Sequence, residues 1–169
     1  MNTYLIETLN KNNLNGAIAL VKECFKHISH STGLPERSLR AALNPDCAKP
    51  HKDMAAILTR DFWVLQDNGR VCGVMGLMEM KADSETTDWL NWFCVSPAYR
   101  KRGYRRILLE RAAEISKSRN KKHLKLWTSN APNEKDAQYL YEKMGFHITS
   151  EEESTDGESS IIIYRCKTL

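Results

Sequence analysis

Five side-chain cations, Arg100, Lys101, Arg102, Arg105 and Arg106, crowd around one glycine, Gly103, in the stretch Val95-Ser-Pro-Ala-Tyr-Arg-Lys-Arg-Gly-Tyr-Arg-Arg-Ile-Leu-Leu109. An apolar strand ends at Pro97, the glycine follows six residues later, and an amphipathic helix begins at once. The first N–H groups of a helix have no partner inside it, so a strand, a glycine turn and a helix N-terminus together make an anion site. Cations on both sides of the glycine point to a multiply charged ligand, a phosphate or a pyrophosphate. Residues 100 to 122 hold ten Lys/Arg against two Glu, a balance of +8, while the whole chain carries +4, which leaves the remainder at about −4. Charge focused in this way draws an anion to one place. The plainer reading of such a run is a solvated helix face.

Tyr141 is the second residue with chemistry to offer. A phenol with a pKa near 10 stays protonated at neutral pH and can donate to a departing group. The plain alternative is a tyrosine packed on an amphipathic helix, as Tyr139 also reads. Cys94 lies inside an apolar strand without a histidine motif to activate it, and so reads as a small buried hydrophobe. His30 and His51 have a suitable pKa, near 6.5, but each reads as a loop histidine. Trp63, Trp89, Trp92 and Trp127 read as core by default, with one or two facing the site.

These residues need elements to position them. Residues 3 to 9 read as a first strand, and Leu14, Ala17, Ile18, Val21, Cys24, Phe25 and Ile28 follow helical spacing behind Asn12 or Asn13 as N-cap. Gly33-Leu-Pro35 breaks that helix, and a short one around Leu39 to Leu43 ends before Pro45. Residues 46 to 59 read as a loop with a partial helix. Phe62–Leu65 and Val71–Met78 are strands joined by Asp67-Asn68-Gly69, a strong hairpin signal. A strand over 89–95, a helix over 104–118 and a strand over 122–128 then make one βαβ unit with parallel strands and a right-handed crossover. Ligands of such units bind outside the C-terminal ends of the strands, which places Cys94, Val95 and the glycine turn beside the ligand. A helix over 134–144 closes at Gly145, and a last hairpin pairs 146–149 with 161–164 around an acidic loop.

Composition narrows the class. A chain of 169 residues with 41% hydrophobic and 27% charged residues fits one soluble domain, 1–169. No apolar run approaches the roughly 20 residues that span a bilayer, and the N-terminus lacks a signal-peptide pattern. The five cysteines are scattered without a Cys-x-x-Cys pair, so no metal site and no disulfide framework are expected, and a reducing cytoplasm is the simplest compartment.

Val95-x-Pro97-x-Tyr99-Arg100-x-x-Gly103 entering a helix, then Ala137-x-x-x-Tyr141-x-x-x-Gly145-Phe146, resembles the GNAT superfamily of acetyl-CoA-dependent N-acetyltransferases. The resemblance covers residues 60 to 149. It implies an α/β (α+β) fold: a mixed, mostly antiparallel sheet of about six or seven strands, with a splayed parallel pair at its centre and about four flanking helices. It implies acetyl-CoA as cosubstrate, no metal, and direct transfer to a primary amine of a small molecule or peptide in a ternary complex. Main-chain N–H groups of Arg102, Gly103, Tyr104 and Arg105 would cradle the pyrophosphate, with Arg100 and Lys101 beside them. Cys94 and Val95 would bond the pantetheine arm like an added strand, provided the parallel strands splay. Tyr141 would protonate the departing thiolate. Arg105 stands where the family has a small residue, and there it either crowds the phosphate or adds a charge. The family often places Asn three residues ahead of Ala137; Glu134 occupies that position, and Asn133, one step earlier, is the expected cofactor ligand. Glu79, Asp88 and Asn91 lie near the fourth strand, where many members draw a base, and none is assigned. Exposed sheet edges in this fold often pair into homodimers. A non-catalytic acyl-CoA sensor is the alternative reading. A nucleic-acid binder has only the basic stripe behind it, and neither nucleic acid nor membrane is expected as a partner.

Overall fold

Long apolar strands with a tight turn between them set the frame. In the computed structural model, which describes residues 4–26, 34–45, 56–154 and 160–169, β2 (Ile57–Asp67) and β3 (Arg70–Met80) pair as an antiparallel hairpin. Asn68 and Gly69 make its turn at φ values of 49° and 77°, the left-handed geometry that Asn-Gly adopts most readily. β1 (Tyr4–Thr8) borders β2, and β4 (Thr87–Val95) borders β3 on the other side, both antiparallel. α1 (Leu14–Cys24) and α2 (Leu34–Leu43) lie between β1 and β2 in the chain. Pro35 sits in the first turn of α2, where its missing N–H costs nothing, so the helix begins at Leu34 rather than after the proline.

After β4 come a single 3-10 turn, Pro97–Tyr99, and α3 (Tyr104–Ser118). β5 (His123–Ser129), a second such turn (Pro132–Glu134) and α4 (Lys135–Lys143) follow, then β6 (His147–Glu153) and β7 (Ile161–Thr168). One sheet of seven strands results, in the order β1-β2-β3-β4-β5-β7-β6. Every neighbouring pair is antiparallel except β4 and β5. The mixed sheet and the four helices among the described residues match the expected fold class. Among the described residues no helix is long and apolar enough to cross a membrane.

A core fills each face of the sheet. On one, Leu108, Leu109, Ala112 and Ile115 of α3 and Tyr141 of α4 pack on Leu77, Leu90, Val95, Leu124 and Leu126. On the other, Ala17, Ile18, Leu20 and Val21 of α1 and Leu39 of α2 pack on Phe62, Val64, Val74 and Cys94. Along β4 the two cores alternate, with Leu90 and Val95 in the first and Cys94 in the second. The alternation slips once. Gly76 faces Asn91 and Val74 faces Cys94, so Met75 alone spans Trp92 and Phe93. Trp92 takes a left-handed φ of 43° at this bulge, with its indole N–H donating to Ser38 Oγ at 3.0 Å. Gly76 is required beside it, because an added Cβ would lie 2.4 Å from the Phe62 ring and 2.7 Å from the Asn91 carbonyl oxygen.

Candidate active site

Parallel pairing of β4 with β5 covers Thr87/His123, Asp88/Leu124 and Trp89/Lys125, and then stops. Beyond Trp89 the two strands part, and β5 turns its other edge to β7 along its whole length. The result is a wedge-shaped gap, closed at Trp89/Lys125 and open at Val95, where the glycine loop begins. Main-chain groups on the β4 side of the gap follow from the ladder. Ser96 N–H donates to the Cys72 carbonyl at 2.9 Å, and in an antiparallel ladder bonded pairs recur every second residue. Val74/Cys94 is therefore the next bonded pair, and the N–H and C=O groups of Val95 and Phe93 turn toward the gap. Cys94, expected to share that duty, has its main chain committed to Val74. Phe93 is the neighbour of Val95 that faces the gap instead, and the Val95 carbonyl accepts from the Cys24 thiol at 3.8 Å.

The loop at the open end is built from two left-handed residues. Lys101 has φ 62° and Gly103 has φ 80°, the latter as N-cap of α3. No atom lies within 4 Å of where a Gly103 side chain would start, so backbone conformation, not crowding, calls for glycine here. Alternating backbone of this kind turns successive N–H groups to one side, a concavity suited to an anion, in front of a helix of 15 residues whose N-terminus carries about half a positive charge.

The five cations divide into two groups. Arg102 bonds the carboxylate of Asp67 at 3.1 Å with its guanidinium 4.9 Å over the Tyr99 ring, and Arg106 bonds Glu110 at 2.8 Å. Arg100, Lys101 and Arg105 have no carboxylate partner among the described residues and supply the uncompensated charge. Arg105 is half-buried, and its charge reaches Cys94 and Tyr141. The Tyr104 side chain turns away from the loop into the core, 3% exposed, with its hydroxyl donating to Asp67 at 2.8 Å. Only its main-chain N–H is left for a ligand.

Tyr141 stands on the α3/α4 side of the wedge. Its ring lies 6.4 Å from that of Phe93 and 5.9 Å from that of Phe146, and it is 7% exposed. Burial pushes its phenol well above the ordinary value, the Glu134 carboxylate adds to the rise, and Arg105 and Arg165 oppose it. α4 is held in place by Arg165 of β7, itself buried, which donates to Gln138 at 2.9 Å, to Glu142 at 3.0 Å and to the Phe146 carbonyl at 3.2 Å. Thr128 at the end of β5 donates to Glu134 at 3.0 Å and so ties the start of α4 to the wedge. Asn133 lies exposed in the turn just before α4.

The thiol of Cys94 is driven well up, first by the hydrogen bond it donates to the Cys24 sulfur and second by burial, which disfavours its thiolate. The carboxylates near β4 are engaged. Glu79 bonds Lys121 at 2.5 Å and Thr59 at 3.0 Å, and Asp88 accepts from Ser116 at 2.9 Å under α3. Asn91 is buried. At the closed end of the wedge Trp89 meets the tilted ring of Trp127 at 5.7 Å and Tyr164 edge-on at 6.5 Å, and Trp127 is 46% exposed. Trp63 is half-buried 5.6 Å from the Arg119 guanidinium. His30, His51 and much of the acidic loop after Glu153 lie outside the described residues, while Glu151, Glu152 and Glu153 are exposed on β6. A cavity of about 550 Å³ lies elsewhere, between α1 and the β2–β3 hairpin. Of its two carboxylates, Glu7 and Glu23, the former already accepts from Asn13 and Gln66.

Known proteins share this fold. No curated protein matches the sequence. Among solved structures, a GNAT-family protein from Desulfovibrio desulfuricans superposes with a TM-score of 0.81 at 14% identity, over 98% of this chain and 99% of its own. A GNAT family acetyltransferase from Elizabethkingia anophelis, solved with acetyl-CoA bound, gives 0.71 at 17% identity over the full length of both chains. The aminoglycoside 6′-N-acetyltransferase of Enterococcus faecium gives 0.71 at 16% identity over 97% of this chain and 96% of its own. At such identities the likeness is one of fold. The family model for the acetyltransferase (GNAT) domain matches residues 59–148, which run from β2 to β6 and contain the wedge, the glycine loop and Tyr141. The chain belongs to the GNAT acetyltransferase family.

Proposed function

We propose that this chain moves the acetyl group of acetyl-CoA to a primary amine of a small molecule or peptide, directly and within a ternary complex. The observation that carries the reading is the wedge between β4 and β5, which opens onto the left-handed loop at Gly103 and has Tyr141 beside it. The neighbour solved with acetyl-CoA and the neighbour that is an aminoglycoside 6′-N-acetyltransferase support the donor and the amine class.

Main-chain N–H groups from Arg102 to Arg105 receive the diphosphate, with Arg100, Lys101 and Arg105 supplying charge. Val95 and Phe93 pair with the amides of the pantetheine arm as an added strand would. The amine nitrogen attacks the thioester carbonyl, the carbon–sulfur bond breaks, and the sulfur takes the proton of the Tyr141 hydroxyl. The tyrosine recovers a proton through solvent from the one the attacking nitrogen sheds. A phenol held protonated by burial is a donor throughout the neutral range. Glu151, Glu152 and Glu153 give the acceptor side a negative rim suited to a cationic acceptor.

The test is thiol release from acetyl-CoA across an amine panel that includes polyamines, aminoglycosides and lysine peptides. Release above background with at least one class is the expected result. Tight CoA binding with no release from any amine would replace the reading by an acyl-CoA sensor.

A further inference from the structure

Asp67 ends β2, thirty-five residues before the loop, and its carboxylate is nearly buried, with 7% of the side chain exposed. One oxygen, Oδ2, accepts from Tyr104 Oη at 2.8 Å and from Arg102 Nη1 at 3.1 Å. The other, Oδ1, accepts from Asn68 Nδ2 at 2.9 Å, inside the hairpin turn. Arg102 and Tyr104 are the two residues that flank Gly103. A single carboxylate thus grips both sides of the one glycine in the loop and anchors them to a rigid two-residue hairpin. Glycine at φ 80° is the point where the loop is most free to change shape, because either sign of φ is open to it.

We infer that Asp67 is a positioning residue for the anion loop: it holds the N–H groups around Gly103 in the orientation that receives the diphosphate. This rests on the acetyl-CoA reading above. Electrostatics alone argues the opposite effect. A carboxylate close to an anion site repels the anion and cancels the charge of Arg102, so removing its charge should tighten binding. Positioning requires that the same removal weaken it. The sign of the change therefore separates the two. Tyr104 Oη and Arg102 are the donors that a neutral or truncated partner would satisfy less well.

The experiment compares the wild-type protein with Asp67→Asn and Tyr104→Phe, using titration calorimetry with acetyl-CoA and steady-state kinetics with acetyl-CoA and with S-acetylpantetheine, which lacks the diphosphate. Asp67→Asn is expected to raise the Kd and KM for acetyl-CoA about tenfold or more, with kcat and the acceptor KM within about twofold of wild type. Tyr104→Phe keeps the ring packing and should give a smaller rise of the same sign. Turnover of S-acetylpantetheine should be unchanged by either substitution. Unchanged or tighter acetyl-CoA binding in Asp67→Asn overturns the inference. So does an equal loss with both thioesters, which would mean a general loss of structure. If the wild type itself bound no acetyl-CoA, the functional reading would fall first, and the two failures are distinct.

Discussion

At Tyr141 the hydroxyl is the group the proposed chemistry depends on, and the ring is what the fold depends on. The two separate cleanly in Tyr141→Phe, because the contacts with Phe93 and Phe146 survive the change. We expect kcat to fall about tenfold or more, equivalent to about 1.4 kcal/mol, with the Kd for acetyl-CoA unchanged. Stopped-flow turnover with calorimetry checks it, and an unchanged kcat removes the tyrosine from the mechanism. Gly103 carries a different burden. An alanine there meets no neighbour, so the cost is the left-handed backbone itself, roughly 1–2 kcal/mol. Gly103→Ala should lower the melting temperature by a few degrees and weaken acetyl-CoA binding more than it lowers kcat. Both positions are legible in the sequence, because a glycine before a helix and a tyrosine in a spaced motif are local signals. Phe93 and Asp67 are not. The main chain of Phe93 faces the gap because Cys94 pairs with Val74 on the other edge, a pairing no local pattern spells out, and Asp67 meets its partners across thirty-five residues of chain.

Among the elements, α3 was the easiest to read and β6 the hardest, for opposite reasons. α3 starts at a glycine, repeats its apolar residues at helical spacing, and runs over 104–118 as that spacing predicts. β6 extends to Glu153 with every residue exposed, so it has no alternation to detect, and β2 begins five residues ahead of the expected Phe62, at Ile57, for a similar reason. Asp88 shows how β4 and α3 are joined. Its carboxylate is wholly buried, accepts from Ser116, lies 3.7 Å from Arg119 and leaves Oδ1 without a hydrogen-bond partner among the described residues. Burial raises its pKa despite the Ser116 bond and the Arg119 charge. A carboxyl group whose folded pKa is raised favours the fold when neutral. Its contribution is complete below the ordinary carboxylate value and is lost as pH rises through the raised one. Calorimetric melting temperatures of the wild type should therefore fall across that window relative to those of Asp88→Asn, which keeps the Ser116 contact and has no charge to bury. Parallel pH profiles would show that the carboxyl group does not titrate with folding.

Taken whole, the molecule divides its labour between the two faces of one sheet. α3 and α4 bring the cations and Tyr141 to one face, and α1 and α2 close the other behind the bulge at Trp92. Between the faces, β4 and β5 diverge from Trp89/Lys125, where the Trp89–Trp127 contact caps the vertex. Val95 to Trp89 spans six residues at about 3.3 Å each, or about 20 Å, so a thioester arm anchored at the loop has a fixed depth to descend. On the acetyl-CoA reading, with the sulfur at Tyr141 beside Phe93, the vertex is the floor below the acyl group. Each methylene beyond acetyl would extend toward the paired backbone at that floor, and a pocket of this kind discriminates by about 1–3 kcal/mol per methylene. In competition assays, propionyl and butanoyl donors should be used about tenfold and then a further tenfold less efficiently than acetyl, a stepwise selectivity set by where two strands meet.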